Sequence, residues 1–226
     1  MATYVVRVWL PDRPGALGAV ASRIGAVRGD LVGIDILERG AGRVIDELVV
    51  DLPGDDLVDL LVAEMSEVDG VDVEDVRRAG DGVRDPRLDA LETAAVLVEQ
   101  KTVEGLLAAL AEHARHDFEA EWAAVIDLDA PVPLAAVGDP PPTAWLGAFV
   151  HGSRHSARVN AGDAGPDEVA WASLPTADLA VVMGRKGRPF RARERRQLAA
   201  LARVADGQWA VLVAGSAPRP SGCAIR

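Results

Sequence analysis

The residues of this 226-residue chain best suited to chemistry are Leu10-Pro11-Asp12-Arg13-Pro14-Gly15-Ala16-Leu17. A carboxylate, a guanidinium and a glycine meet there, where strand-like alternation gives way to helical spacing. A helix starting at this point offers free N–H groups and the positive end of its dipole, which attract carboxylates and phosphates. Pro14 suits the first helical position, and Gly15 leaves the backbone open to close approach. Two histidine pairs, His113/His116 and His151/His155, have spacings that can begin a metal site, but no third ligand and no His-Glu-x-x-His pattern accompany them. His151-Gly152-Ser153-Arg154-His155-Ser156 combines serine with histidine, yet Ser153 lacks the second glycine of a nucleophile elbow. Gly184-Arg185-Lys186-Gly187-Arg188 is basic and glycine-rich without the Lys-Ser/Thr ending of a phosphate loop, and reads as a solvated hairpin tip. The chain thus presents a binding turn and no catalytic set. No metal and no cofactor are expected.

Composition narrows the classes further. A net charge of −11 argues against a dedicated nucleic-acid binder, which needs surplus Lys and Arg to neutralise phosphate. An apolar fraction of 49% suits a globular protein. No uninterrupted apolar run approaches the ~20 residues that span a bilayer, so no membrane partner is expected. Met1-Ala2-Thr3 leads directly into a strand pattern, and Cys223 is the single cysteine, which together point to a reducing, cytoplasmic setting. The acidic segment 43–76 and the basic segment 185–203 read as solvated faces, with opposite signs that can steer docking.

The elements that must position the turn follow from periodicity. Tyr4 to Leu10 alternates as a strand, and Leu17, Val20, Ala21, Ile24 and Val27 recur at helical spacing. Gly29-Asp30 ends that helix, and Leu31 to Leu37 forms a second strand with Val32, Ile34 and Ile36 on one face. Gly40-Ala41-Gly42 turns the chain into a third strand, Val44 to Leu52. Asp55 and Asp56 cap a second helix with Leu57, Leu60, Leu61 and Met65 on one side, and Val71 to Val76 is a fourth strand. The order β-α-β-β-α-β is the split βαβ of a ferredoxin-like domain, with helices on one sheet face and the other bare, an arrangement that favours a homodimer or higher homo-oligomer.

Residues 4–78 resemble an ACT domain, the small ligand-binding module attached to many enzymes of amino-acid metabolism. The resemblance rests on Val8-Trp9-Leu10-Pro11-Asp12-Arg13-Pro14-Gly15-Ala16-Leu17 and on Gly29-Asp30-Leu31-Val32-Gly33-Ile34-Asp35-Ile36. It implies an amino-acid site built from the turn of one subunit and the second strand of its neighbour. By position the ligand-binding residues are Asp12, Arg13, Pro14, Gly15, Ala16 and Leu17, with Leu31 and Gly33 from the facing strand. Amino-acid-binding members often carry asparagine where Leu31 stands, so a polar anchor is missing here.

Ala79 to Leu88 is rich in glycine, charge and proline and forms a linker. Helical spacing resumes at Leu88, Leu91, Ala95 and Val98, and again at Val103, Leu106, Leu107, Leu110 and Ala114. Phe118–Asp127, Trp145–Val150 and Asp178–Gly184 are strand candidates. From Arg191 a helix puts Leu198, Leu201 and Ala205 on one face and runs to about Leu212, with an edge strand over Gln208–Val213 as the alternative. Trp122, Trp145, Trp171 and Trp209 read as core, with the lining of a cavity as the alternative for Trp145 and Trp171. Helices around a sheet, closed by Gly187-Arg188-Pro189-Phe190-Arg191-x-x-Glu194, resemble a GAF domain.

The expected fold is therefore α+β: a ferredoxin-like βαββαβ ACT domain over residues 1–78, a linker over 79–88, a GAF-like α/β domain over 89–215 and a flexible tail over 216–226. The expected function is non-catalytic. An amino acid or similar small carboxylate binds at an ACT dimer interface, and the GAF-like domain relays the bound state to a partner protein. The alternatives are an enzyme whose active site lies in the second domain, and an assembly module without ligand.

Overall fold

The structure is a computed structural model that describes residues 2–80, 85–129, 132–154 and 167–216. It is a mixed α/β protein with two four-stranded antiparallel sheets. The chain divides into two compact units, one built on Met1–Asp85 with Arg191–Arg193 and the other on Pro86–Phe190 and Glu194–Arg226. The part of the linker over 81–84, together with His155, Ser156 and Cys223, lies outside the described residues.

In the first unit, β1 (Ala2–Pro11), α1 (Ala16–Ala26), β2 (Asp30–Gly40), β3 (Arg43–Leu52), α2 (Val58–Ser66) and β4 (Asp72–Arg78) follow one another, with a single 3-10 turn at Asp55–Leu57. The strand order is β2-β3-β1-β4. Tyr4, Val6, Val8 and Leu10 of β1 and Leu48, Val50 and Leu52 of β3 meet Val20 and Ile24 of α1 and Leu61 and Met65 of α2 in one core. The alternating pattern dictates this, because a period of two sends every second side chain to the helix-covered face.

Several expectations need correction. Leu60 is exposed; Leu61 and Met65 are the buried residues of α2, with Val58 packed partly against the same core. Asp55 caps no helix; its carboxylate accepts from the Tyr4 hydroxyl at 2.8 Å and from Arg78 at 3.1 Å. Register shifts between Leu31 and Gly33 and between Ile36 and Glu38 break the strict alternation of β2. Leu31, opposite Val50, thereby shares the helix-covered face with Ile34, opposite Leu48.

The sheet face away from the helices is not bare. Arg7, only 1% exposed, donates to Glu47 Oε1 through Nη2 at 2.8 Å and Nε at 3.1 Å, and Arg77 donates to the same oxygen at 3.1 Å. Burial pushes the Glu47 carboxyl up, but the two guanidiniums outweigh it and hold the group below its usual range. A depressed carboxylate contributes stability that is present above its unfolded value and lost as pH falls through its folded one. Glu47→Gln is expected to cost about 3 kcal/mol at neutral pH, because it removes the buried carboxylate that two guanidiniums share. Urea unfolding across the acid range checks it: the gap between variant and wild type must close as pH falls, and parallel curves overturn the assignment.

The second unit contains α3 (Pro86–Glu99), α4 (Val103–Asp117), β5 (Trp122–Asp127), β6 (Pro133–Val137), α5 (Thr143–Arg154), β7 (Val169–Leu174), β8 (Leu179–Gly184) and, from Glu194 onward, α6 (Ala192–Ser216). Its sheet runs β6-β5-β8-β7. Leu97, Leu106, Leu110, Ala123, Val125, Val181, Met183, Leu198 and Ala205 form a core on one face. Trp122, Ala124, Ile126, Leu146, Val150, Ala180 and Val182 form a second on the other. The two central strands are buried on both faces, hence their unbroken apolar runs.

Here too the structure departs from expectation. Trp145–Val150 is helix, not strand: Leu146 and Val150, four apart, turn inward, and Trp145 stacks on Phe149 at 5.4 Å. Leu88, Leu91 and Val98 are exposed, and Thr93 and Leu97 are the buried residues of α3. The last segment is helical throughout Gln208–Val213. Its Ala192–Gly215 portion passes a test of length and mean hydropathy for crossing a membrane, although charged residues such as Arg203 and Asp206 interrupt its apolar stretch. Within this unit its Leu198, Leu201, Ala202 and Ala205 are built into the core.

Candidate functional site

The turn after β1 is held by its backbone. Asp12 N–H donates to Gly42 O at 2.9 Å and Arg13 N–H to Pro11 O at 2.8 Å, while Ala16 N–H reaches Arg13 O at 3.3 Å. Gly15, not Pro14, borders the helix: α1 begins at Ala16, and Gly15 caps it with φ +87°. That conformation is one L side chains rarely adopt, which explains the glycine. A Cβ at Gly15 would meet no atom within 4 Å, so open space lies beside the helix start. No side chain caps α1, and its first turn holds no acidic residue. Asp12, Arg13, Pro14 and Gly15 are exposed, Ala16 is buried, and Leu17 packs on the core.

Leu31 and Gly33 stand elsewhere. Leu31 lies in the row of Val50 and Tyr4, whereas the turn follows Pro11, in the row of Arg43 and Gly40. Those rows are separated by the run from Tyr4 to Pro11, roughly 23 Å of strand. Leu31 is half-buried against the core, and a Cβ on Gly33 would sit 3.1 Å from Val49 Cγ2. One chain therefore does not bring the turn and the start of β2 together.

What one chain does set on the turn's side of the sheet is a set that the motif reading passed over. Asp46 of β3 lies opposite Val8 and Ile36, on the helix-covered face between Val44 and Leu48. It is 4% exposed, and its Oδ1 is buried with no hydrogen-bond partner. Burial pushes its carboxyl up, Arg39 draws it down, and the Asp12 carboxylate pushes it up again. Parity along β3 carried this signal, since Asp46 occupies an inward position.

The other motifs are spent on structure. Thr93 Oγ1 donates to Asp117 Oδ2 at 2.6 Å and lies 3.0 Å from His113 Nδ1, so His113 ties α3 to α4. Among the described residues no group of three His, Cys, Asp or Glu is arranged to hold a metal ion. Ser153 is buried in α5. Arg185 is no hairpin tip: it is 5% exposed and donates to the Arg188, Phe118 and Pro189 carbonyls and to Glu194 Oε1. Arg188 pairs with Glu119. Asp206, which the sequence reading missed, accepts from Thr176 N–H at 3.0 Å and Ala177 N–H at 3.1 Å, fastening α6 to the turn between β7 and β8. Trp122 is core, Trp171 packs partly against it, and Trp145 is exposed.

No family model and no curated protein matches the chain. Among solved structures, the ACT domain of the GTP pyrophosphokinase of Chlorobium tepidum is similar to 34% of this chain over 97% of its own, at 18% identity and a TM-score of 0.28. The chromophore-binding domain of a bacteriophytochrome from R. palustris is similar over 95% of both chains, at 9% identity and a TM-score of 0.39. A longer bacteriophytochrome structure from the same bacterium matches 79% of this chain over 42% of its own, at 11% identity and a TM-score of 0.41. These are distant likenesses.

Proposed function

We infer that this chain is a non-catalytic regulatory protein: an ACT-like first domain senses an amino acid or similar small carboxylate, and a GAF-like second domain relays the bound state to a partner protein. The observation that carries this is the start of α1, where no side chain caps the helix and the left-handed Gly15 leaves open space beside it. A ligand carboxylate suits the free N–H groups and the helix dipole.

The separation of the turn from Leu31 and Gly33 fits a site shared between two copies. β2 is an edge strand, and its Val32, Ile34 and Ile36 are exposed. If two copies pair β2 antiparallel, the start of one β2 lies beside the end of the other, and so approaches the partner's turn. Binding then couples to dimer geometry.

A thermal-shift panel of the twenty amino acids tests the reading. At least one is expected to raise the melting temperature, and the rise is expected to vanish in Gly15→Val. That variant's own melting point falls modestly, because a left-handed residue with a side chain costs about 1–2 kcal/mol. A flat wild-type panel from an intact dimer overturns the sensor and leaves the assembly module, a reading favoured by the packing of Leu31 into the core.

A further inference from the structure

An ionisable side chain buried without a partner is costly unless something arrives to pair with it. Asp46 is in that position: 4% exposed, with Oδ1 buried and unbonded. Its surroundings are specific. Register sets it beside Ile36 on the helix-covered side of the sheet, two positions from Val44, which faces Leu10 just before the binding turn. The charges that act on it are the Asp12 carboxylate of that turn and the Arg39 guanidinium of β2, both on exposed residues. Ile34 and Ile36 beside it are each 43% exposed, an apolar margin open to a ligand.

We propose that Asp46 of β3, assisted by Asp12, is the group of the sensor site that pairs with a ligand's ammonium, so that an amine is preferred over the matching hydroxyl. This rests on the sensor reading and makes it more specific. The N-terminus of α1 takes the carboxylate, Asp46 and Asp12 take the ammonium, and Ile34 and Ile36 border the side chain. Charge-assisted hydrogen bonds to a buried carboxylate are the stronger kind, so the ammonium supplies much of the discrimination. A plain carboxylate with a hydroxyl in place of the amine leaves Asp46 unpaired and is rejected.

Calorimetric titration of the full chain with the twenty L-amino acids and with L-lactate, L-malate, L-phenyllactate and L-2-hydroxyisocaproate tests the proposal. Wild type is expected to bind alanine, aspartate, phenylalanine or leucine at least tenfold more tightly than the matching hydroxy acid. Asp46→Asn, which keeps the shape and removes the charge, is expected to lose at least tenfold in amino-acid affinity and nothing toward the hydroxy acid. Its unliganded melting point at neutral pH is expected at or above that of wild type, since an unpaired buried charge is gone.

If wild type binds hydroxy and amino acids alike, ammonium recognition is wrong while the sensor stands. That arm needs no variant and so does not depend on Asp46→Asn folding. If Asp46→Asn binds amino acids as wild type does, Asp46 is not the recognising group and the sensor again stands. If wild type binds none of these compounds, the sensor reading fails and this proposal with it.

Discussion

Replacing Arg185 with methionine is expected to lower the unfolding free energy of the second unit by about 3–5 kcal/mol, the usual cost of removing one member of a buried, hydrogen-bonded ion pair. Methionine has similar length and no donors. It would leave the carbonyls of Phe118, Arg188 and Pro189 without the bonds that the guanidinium now supplies at 2.6, 2.7 and 3.1 Å, and would remove the 2.6 Å bond to Glu194 Oε1. The guanidinium also lies 4.0 Å from the centre of the Phe190 ring. Lysine should recover little, because a single ammonium cannot reproduce a planar fork that reaches four acceptors. Adding Glu194→Leu to Arg185→Met should return part of the loss, since it removes the buried carboxylate that faced the guanidinium. Urea unfolding followed by tryptophan fluorescence in a Trp9→Phe background reports on this unit, which holds the other four tryptophans, Trp122, Trp145, Trp171 and Trp209. An Arg185→Met variant within about 0.5 kcal/mol of wild type, the range of ordinary surface changes, would contradict the account.

Gly138→Ala is the second large effect, expected at about 3 kcal/mol. Part is conformational, about 1 kcal/mol, because Gly138 has φ +78°. The larger part is steric. A Cβ there would stand 2.2 Å from the Glu121 carbonyl oxygen and 2.9 Å from Trp122 Cα, and both are backbone atoms that cannot swing aside. Gly187 is the matched control: its φ is +70° and a Cβ would meet nothing within 4 Å. Gly187→Ala should therefore cost only the conformational share. Equal losses in the same unfolding experiment would mean that the backbone at Gly138 moves freely away from Glu121 and Trp122.

The sequence made the strand–turn–helix start, the β2–β3 hairpin and the final helix legible, because each buries one face and so imposes a period on its residues. Elements buried on two faces, or built of small residues, were harder to read. Pro133–Val137 and Val169–Leu174 alternate too weakly to be recognised as β6 and β7. Trp145–Val150 is a short apolar run that either period fits, and only the packing of Leu146 and Val150 makes it helix. In α3 the apolar residues Leu88, Leu91 and Val98 trace a stripe that turns outward, while Thr93 is buried to reach His113 and Asp117.

The binding turn divides in the same way. Its chemistry is local, so Asp12, Gly15 and the helix start are visible in the chain: a strand ending in Asp-Arg-Pro-Gly before a helical pattern needs nothing distant to be recognised. The rest depends on which strands pair and in which register. The register shift between Leu31 and Gly33 turns Leu31 towards the core, and the strand register sets Leu31 and Gly33 at the far end of the sheet from the turn. Pairing of β3 with β1 and β2 likewise brings Asp46 to the turn's side, where its charge meets those of Asp12 and Arg39. A side chain's desolvation and its neighbours across strands are properties of the assembled sheet, and no local spacing encodes them.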